Sequence, residues 1–221
     1  MSKKKIAIQG ELGAYSHIAA ENLYKDSEIK TCTTFEETFK QAYNDPSYKI
    51  VIPIENSLAG RVADIHYLLP KYKLQIHGEH FQAVEHNLLC KPDATISDIK
   101  FVRSHAQAIG QCQNLITKKK FKPIISADTA GSAKDLAEGK DKTIAAIASE
   151  LSAKIYNLKI LEKNIEDEKG NVTRFLIMGK NIEQPEFKKE KKFITSCIFR
   201  VKSEPSALYK CLGGFATNQV N

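Results

Sequence analysis

Short apolar runs alternate with amphipathic stretches along most of this chain, and the alternation predicts its elements. Lys5 to Gln9 reads as a buried strand closed by Gly10 and Gly13, and a helix follows from Tyr15 or Ser16 to Tyr24. A strand near Ile29 to Thr33 precedes Thr34-Phe-Glu-Glu37, whose spacing is that of a capping box and opens a helix to Asn44. Lys49 to Ile54 is a strongly apolar strand, and Pro53 predicts that its end is not paired on both sides. Arg61 to Leu69 reads as a helix that Pro70 stops. Leu74 to Cys90 is long and mixed, and suits two extended segments carrying the chain from one lobe to another. Beyond it, strands at 101–103, 124–127 and 143–148 alternate with helices at 105–117, 130–138 and 149–156, and Asn171 to Gly179 closes the series as a strand. Strand–helix alternation this regular predicts an α/β architecture with largely parallel sheets.

The pattern then changes. Lys180 to Lys192 is polar, charged and contains Pro185, which marks a boundary. Phe193 to Val201 alternates like a half-buried strand, and Pro205 to Leu212 reads as a helix ahead of Gly213-Gly214. One strand and one helix cannot bury a core alone, so this tail needs a partner.

Composition narrows the class. Of 221 residues, 42% are hydrophobic and 27% charged, which excludes wholesale disorder. No apolar run approaches the roughly 20 residues of a membrane-spanning helix. The basic start runs straight into Ile6 without the apolar region and cleavage site of a signal peptide, so a cytoplasmic location is expected. The formal charge of +7 suits nucleic acid, an acidic small molecule or plain solubility. The basic runs Lys118–Lys122 and 187–192 lack the interleaved aromatics of a single-strand-binding surface and read as solvated faces, so no nucleic-acid partner is expected. Cysteines 32, 90, 112, 197 and 211 form no Cys-x-x-Cys pair and read as free thiols.

Chemistry gathers where strands hand over to helices. Tyr15-Ser16-His17, Glu55-Asn56-Ser57, Ser104-His105-Ala-Gln107, Asp128-Thr129 and Ser149-Glu150 each follow a strand. In open α/β sheets that edge binds ligands, and helix N-termini there favour carboxylates or phosphates. Taken singly, each is as well explained as a helix cap; five together favour a site for a polar anion. There is no phosphate-binding loop and no Gly-x-Ser-x-Gly elbow, and Gly10-Glu-Leu-Gly13 lacks the dinucleotide spacing. His77, His80 and His86 lie in an extended stretch without metal-ligand spacing.

Six of these stretches, in order, resemble the motifs of the prephenate dehydratase family. They are Gly13-Ala-Tyr-Ser-His-Ile-Ala-Ala20, Ile52-Pro-Ile-Glu-Asn-Ser-Leu-Ala-Gly60, Ser104-His-Ala-Gln-Ala-Ile-Gly-Gln-Cys112, Asp128-Thr-Ala-Gly-Ser-Ala133, Ala145-Ala-Ile-Ala-Ser149 and Asn171-Val-Thr-Arg-Phe175. The tail from Phe193 is similar to the start of the ACT regulatory domain that follows this catalytic domain in the family.

The resemblance implies a two-lobed fold like type II periplasmic binding proteins, with the site in the cleft. A catalytic domain is placed at 1–180, with lobe 1 at about 1–79 and 165–180 and lobe 2 at about 80–164. A linker at 181–192 and an incomplete ferredoxin-like ACT segment at 193–221 follow. The implied reaction removes water and carbon dioxide from prephenate, a dicarboxylate, to give phenylpyruvate, with no metal or organic cofactor. Thr173 is expected to serve the departing hydroxyl as a hydrogen-bond donor, and Arg174 to grip a substrate carboxylate. Glu55 is either a protonated acid in a dry pocket or a structural carboxylate pairing Arg174. Asn56 is placed with these catalytic residues, and Ser57, Ser104, His105, Gln107, Gln111, Thr129, Ser149 and Phe175 are expected around the substrate. Ser206-Ala-Leu208 stands where the family has a Gly-Ala-Leu turn for L-phenylalanine, and the later Glu-Ser-Arg-Pro motif does not occur, which puts that effector in doubt. A homodimer or higher homo-oligomer is expected.

Overall fold

In the computed structural model, residues 3–181, 186, 188–190 and 193–220 are described. Contacts divide the chain into two units, Met1–Glu183 and Gln184–Asn221.

The first unit contains two sheets. The first begins with β1 (Lys5–Gln9), which pairs in parallel with β2 (Glu28–Cys32) and with β3 (Tyr48–Asn56). Between them run α1 (Tyr15–Leu23) and α2 (Phe35–Asn44). The predicted capping box forms at α2: the Thr34 hydroxyl accepts from Glu37 N, and the Glu37 carboxylate accepts from Thr33 N. A short β4 (Gly60–Arg61) folds back antiparallel onto β3, and α3 (Ala63–Tyr72) follows. The sheet is completed by β5 (Gln75–Ala83) and β11 (Val172–Gly179), giving the order β2-β1-β3-β11-β5 with β4 beside β3. Both β3 and β5 pair antiparallel with β11, so the sheet is mixed rather than largely parallel. The reason is the return of the chain: β11 comes back from the second lobe in the opposite sense. Its alternation feeds two cores. Phe175 and Ile177 pack beneath α1 with Ile6, Ile8 and Val51, while Leu176 and Met178 join Phe39, Ile65 and Leu68 on the α2 and α3 side.

The second sheet, β10-β6-β9-β7-β8, is built from β6 (Asn87–Cys90), β7 (Phe101–His105), β8 (Lys122–Ser126), β9 (Ile144–Ala148) and β10 (Lys159–Glu162). Its helices are α4 (Ala106–Gly110), α5 (Gln113–Lys119), α6 (Thr129–Glu138) and α7 (Glu150–Ile155). The chain crosses between sheets at Val84–His86 and returns between Glu162 and Val172. Strand β5 runs on to Ala83, so the first lobe extends past the expected boundary at 79.

Four expectations on elements need correction. Arg61 lies in β4, and the helix placed at Arg61–Leu69 is α3, which carries Pro70 and ends at Lys73 in the left-handed region (φ 50°). Proline removes a hydrogen bond to the preceding turn, but in the last turn this is not enough to stop the helix. The helix placed at 105–117 is two pieces, broken at Gln111-Cys112. The mixed first sheet is the third. The fourth is Phe193–Val201, which is exposed and forms no strand among the described residues, since a strand exists only by pairing. The second unit's helix, α8 (Ala207–Thr217), runs through Gly213-Gly214 to Thr217. The linker expected at 181–192 lies mostly outside the described residues.

Candidate functional site

A cavity of about 510 Å³ opens between the two lobes of the first unit. It is bounded on one side by the ends of β1, β3, β4 and β11 with the start of α1, and on the other by His105, Gln107, Ala108 and Gln111 with Asp128 and Thr129 at the start of α6. The first turn of α1 carries no acidic residue and no side-chain cap, which favours an anion there, whereas the start of α6 is capped by the Asp128 carboxylate, which accepts from Gly131 N. Arg61 is the one Arg or Lys among the lining residues, and no ion pair engages it among the described residues.

A single extra residue decides which side chains of β3 face this cavity. Thr173 stands opposite Asn56 and Arg174 opposite Glu55, but Phe175 stands opposite Pro53, so Ile54 is the extra residue of a β-bulge. With unbroken alternation, Glu55 would share the face of Pro53 and Asn56 would point away. With the bulge, Pro53, Asn56, Thr173 and Phe175 all line the cavity. Pro53 is tolerated because β1 reaches only Tyr48–Ile50, so its missing N–H faces no strand on that side.

The same bulge places Glu55 and Arg174 outside the cavity. The Arg174 guanidinium pairs with Glu55 at 3.0 Å and with Glu79 at 2.6 Å, and lies 6.0 Å above the Phe81 ring. The hydrogen bond to Glu55, assisted by Glu79, holds its proton more firmly than usual. Arg174, expected to grip a substrate carboxylate, thus lies outside the cavity, and Glu55 pairs with it.

Several other expected residues are also built into the frame. Ser104 is buried and donates to the Ile147 carbonyl at 2.7 Å, tying β7 to β9. Ser149 caps α7 and donates across the cleft to the Gly13 carbonyl at 2.6 Å. Ser57 accepts from Val172 N at 2.9 Å, fixing the start of β11. None of these three lines the cavity, because each has its hydroxyl engaged by backbone. Asn56, His105, Gln107, Gln111, Thr129, Thr173 and Phe175 do line it. Ser206, Ala207 and Leu208 belong to the second unit, with Ser206 in the left-handed region at the start of α8.

A chain of hydrogen bonds runs along the floor of the cleft. The Asn56 side-chain nitrogen donates to Thr173 Oγ1 at 2.9 Å and to Asn171 Oδ1 at 2.6 Å. Asn171 Nδ2 donates to Gln111 Oε1 at 3.0 Å, and Gln111 Oε1 also meets His86 Nε2 at 2.9 Å. The His86 Nδ1 lies 3.0 Å from the Tyr15 hydroxyl. The Thr173 oxygen accepts from Asn56, a bond that does not use the Thr173 hydroxyl hydrogen. Burial lowers the proton affinity of His86, and burial with nearby Glu166 pushes the Tyr15 hydroxyl well above the usual phenol range. Cys112 beside them is pushed up to about 12, chiefly by burial, and stays a thiol.

Arg61, His86 and Asn171 were missed in the sequence, and Tyr15 was left unassigned there. Two of them carry a usable signal. A segment crossing from lobe to lobe must run along the cleft floor, so a polar side chain within it, such as His86 or Asn171, is a site candidate on topology alone.

Comparisons with known proteins agree with this architecture. The family model of prephenate dehydratase matches residues 6–183. A bifunctional N-acyl-homoserine lactone acylase/prephenate dehydratase of Komagataeibacter europaeus is 41% identical over 98% of this chain and 76% of that protein. The chloroplastic arogenate dehydratase/prephenate dehydratase 2 of Arabidopsis thaliana is 40% identical over all of this chain but 57% of that protein, so the chain spans little more than half of that relative. The structure of a prephenate dehydratase from Arthrobacter aurescens in complex with L-Phe has the same fold, with a TM-score of 0.86 at 24% identity over 98% of this chain and 72% of that one. The chain belongs to the prephenate dehydratase family.

Proposed function

We propose that this chain is a lyase that converts prephenate to phenylpyruvate, with loss of water and carbon dioxide, for L-phenylalanine synthesis. The observation that carries this reading is the Asn56–Thr173 hydrogen bond in a cavity whose one Arg or Lys, Arg61, has no ion pair among the described residues. Forming an aromatic ring supplies the driving force, so the protein has to hold two carboxylates and help one hydroxyl to leave. Arg61 and the first turn of α1 suit the carboxylates, and Thr173 suits the hydroxyl. The cavity walls hold the reacting ring in one orientation. We place the reaction in the cytoplasm, a reading supported by five unpaired thiols.

The test is release of phenylpyruvate from prephenate by the purified chain, run beside arogenate. Turnover of arogenate in preference to prephenate would make it an arogenate dehydratase, the activity named for its plant relative. Binding without turnover would make it a sensor of aromatic acids. A third arm with an N-acyl-homoserine lactone asks whether it shares the second activity named for the Komagataeibacter relative.

Arg61→Gln is expected to raise KM for prephenate by roughly 10- to 100-fold with kcat within about threefold, the effect of one charge-assisted hydrogen bond made equally in ground and transition states. An unchanged KM would remove Arg61 from carboxylate binding. We read the second unit as the start of an ACT-type segment on its sequence resemblance alone, and the exposed Leu208, Leu212 and Phe215 of α8 support self-association, which sedimentation of the chain would measure.

A further inference from the structure

The hydrogen bonds on the cavity floor fix where hydrogens sit. The Asn56 side-chain carbonyl accepts from Leu58 N at 3.0 Å and from Ala59 N at 2.9 Å, so its amide nitrogen is the atom that faces Asn171. Asn171 must then present its oxygen to Asn56 and its nitrogen to Gln111. The Gln111 oxygen is thereby an acceptor on both sides, and His86 Nε2 must carry a hydrogen. Two backbone N–H groups thus set the tautomer of a ring several side chains away.

The other ring nitrogen is in a different position. His86 Nδ1 lies 3.0 Å from the Tyr15 hydroxyl, which is also 2.7 Å from the Glu85 carbonyl. With a neutral ring, one hydroxyl hydrogen faces two acceptors. A second proton on the ring removes the mismatch: Nδ1–H donates to the Tyr15 oxygen, and the one Tyr15 hydrogen is then shared only between the Glu85 carbonyl and an acceptor brought into the cavity.

The polar groups around the ring favour its charged form. They are Gln111, which meets Nε2, and the Glu166 carboxylate, which accepts from His86 N at 2.9 Å. Tyr15 from α1 and Cys112 after α4 are neutral, and Glu85 presents its carbonyl. Burial disfavours the charge and outweighs these in the empty cavity. A carboxylate bound in the cavity changes that balance. Thr173 also leaves a gap in the chemistry, because an alcohol can donate a hydrogen bond to the departing hydroxyl but is far too weak an acid to give up its proton.

We propose that His86 and Tyr15 form an acid pair: His86 takes up a proton at Nδ1 as the anionic substrate enters, and the Tyr15 hydroxyl passes a proton to the hydroxyl leaving the substrate. The proposal rests on the dehydratase reading above. As the ring carbon–oxygen bond breaks, the Tyr15 proton makes the leaving group water, and the Nδ1 proton replaces it on the Tyr15 oxygen. The electron pair of the carbon–carboxylate bond completes the aromatic ring as carbon dioxide departs. Prephenate dianion and one proton give phenylpyruvate monoanion, carbon dioxide and water. His86 recovers its proton from solvent in the next cycle. Tyr15 is the catalytic member, and His86 acts through it.

The test uses the full chain, His86→Gln and Tyr15→Phe; the glutamine keeps an N–H for Gln111. In the parent, kcat falls as pH rises through the pKa of the occupied site, and kcat/KM falls at a lower pH, through that of the empty one. Both substitutions are expected to lower kcat by about 10²- to 10⁴-fold, and His86→Gln to abolish the limb at higher pH. Calorimetry of phenylpyruvate binding in two buffers of different ionisation enthalpy is the second readout. Proton uptake is expected in the parent and in Tyr15→Phe, and none in His86→Gln. If the parent releases no phenylpyruvate from prephenate but takes up the proton, the dehydratase reading fails and His86 still stands as the proton acceptor. Turnover by His86→Gln within about threefold of the parent, with the same pH profile, overturns the pair, and so does absence of proton uptake by the parent.

Discussion

Thr173→Val is expected to lower kcat for prephenate by at least about 10²-fold while leaving KM within about threefold, the pattern of a hydrogen bond that strengthens only as the hydroxyl departs. Valine keeps the shape and β-branching that suit β11 and removes only the oxygen. The neighbouring amide is not stranded, because the Asn56 side-chain nitrogen retains the Asn171 oxygen at 2.6 Å and the Val172 carbonyl at 3.3 Å. The stability change should therefore be only about 1 kcal/mol, the net worth of one hydrogen bond. Thr173→Ser, which restores a hydroxyl with looser orientation, should recover activity to within about tenfold of the parent. The measurement is phenylpyruvate release against prephenate concentration for the three chains, with thermal unfolding as the control for folding. A valine variant within about threefold of the parent in kcat would remove Thr173 from the chemistry.

The bulge at Ile54 explains why Thr173 and Arg174, named together from the sequence, are placed apart, Thr173 in the cavity wall and Arg174 outside it. Adjacent strand residues face opposite sides of a sheet, so at most one of them enters the cavity. Which one does so, and which member of Glu55-Asn56 joins it, depends on register across β3 and β11, and one inserted residue reverses the answer. That register is a contact between segments more than a hundred residues apart, with no local signature. Ser104 and Ser149 are a different case. They sit beside the cleft, where the sequence placed them, but their hydroxyls donate to the Ile147 and Gly13 carbonyls.

Gln111 was named from a helix that the structure breaks at that residue, and the break matters. At Gln111-Cys112 the chain leaves α4 before α5 begins, and the side chain reaches both crossing segments through Asn171 and His86. The first crossing was legible, because a mixed stretch at 74–90 had no place in the strand–helix alternation, whereas the two-lobed cleft came from the family resemblance. Read for side chains, that stretch would also have delivered His86. The tail shows the limit of pattern alone. Phe193–Val201 alternates correctly for a strand, but alternation specifies a face and not a partner.

Gly13→Ala should be among the most damaging single-atom additions in the first unit. Gly13 has φ +91°, and a Cβ there would lie 2.8 Å from the Ser152 Cα, a backbone atom that no rotamer change can move aside. The left-handed conformation costs about 1–2 kcal/mol for alanine, and the overpacking about 1–3 kcal/mol more. A loss of roughly 2–5 kcal/mol corresponds to a melting temperature lower by about 5–15 °C in a unit of this size. Gly170→Ala separates the two terms, since Gly170 has φ +85° with nothing within 4 Å of the added carbon and should show only the smaller, conformational part. The functional consequence follows from what Gly13 holds. Its carbonyl accepts from Ser149 and Ser152 at 2.6 and 3.1 Å, and Tyr156 donates to the adjacent Leu12 carbonyl at 2.9 Å, so the loop after β1 is clamped to α7 of the other lobe. That loop leads directly into Tyr15, which completes the cavity wall. Pushing it off α7 widens the cleft and misplaces the Tyr15 hydroxyl relative to His86. Gly13→Ala is therefore expected to lose activity at temperatures where it is still folded, whereas Gly170→Ala keeps it. Equal melting temperatures and equal activities for the two variants would mean that the contact with α7 constrains neither the fold nor the site.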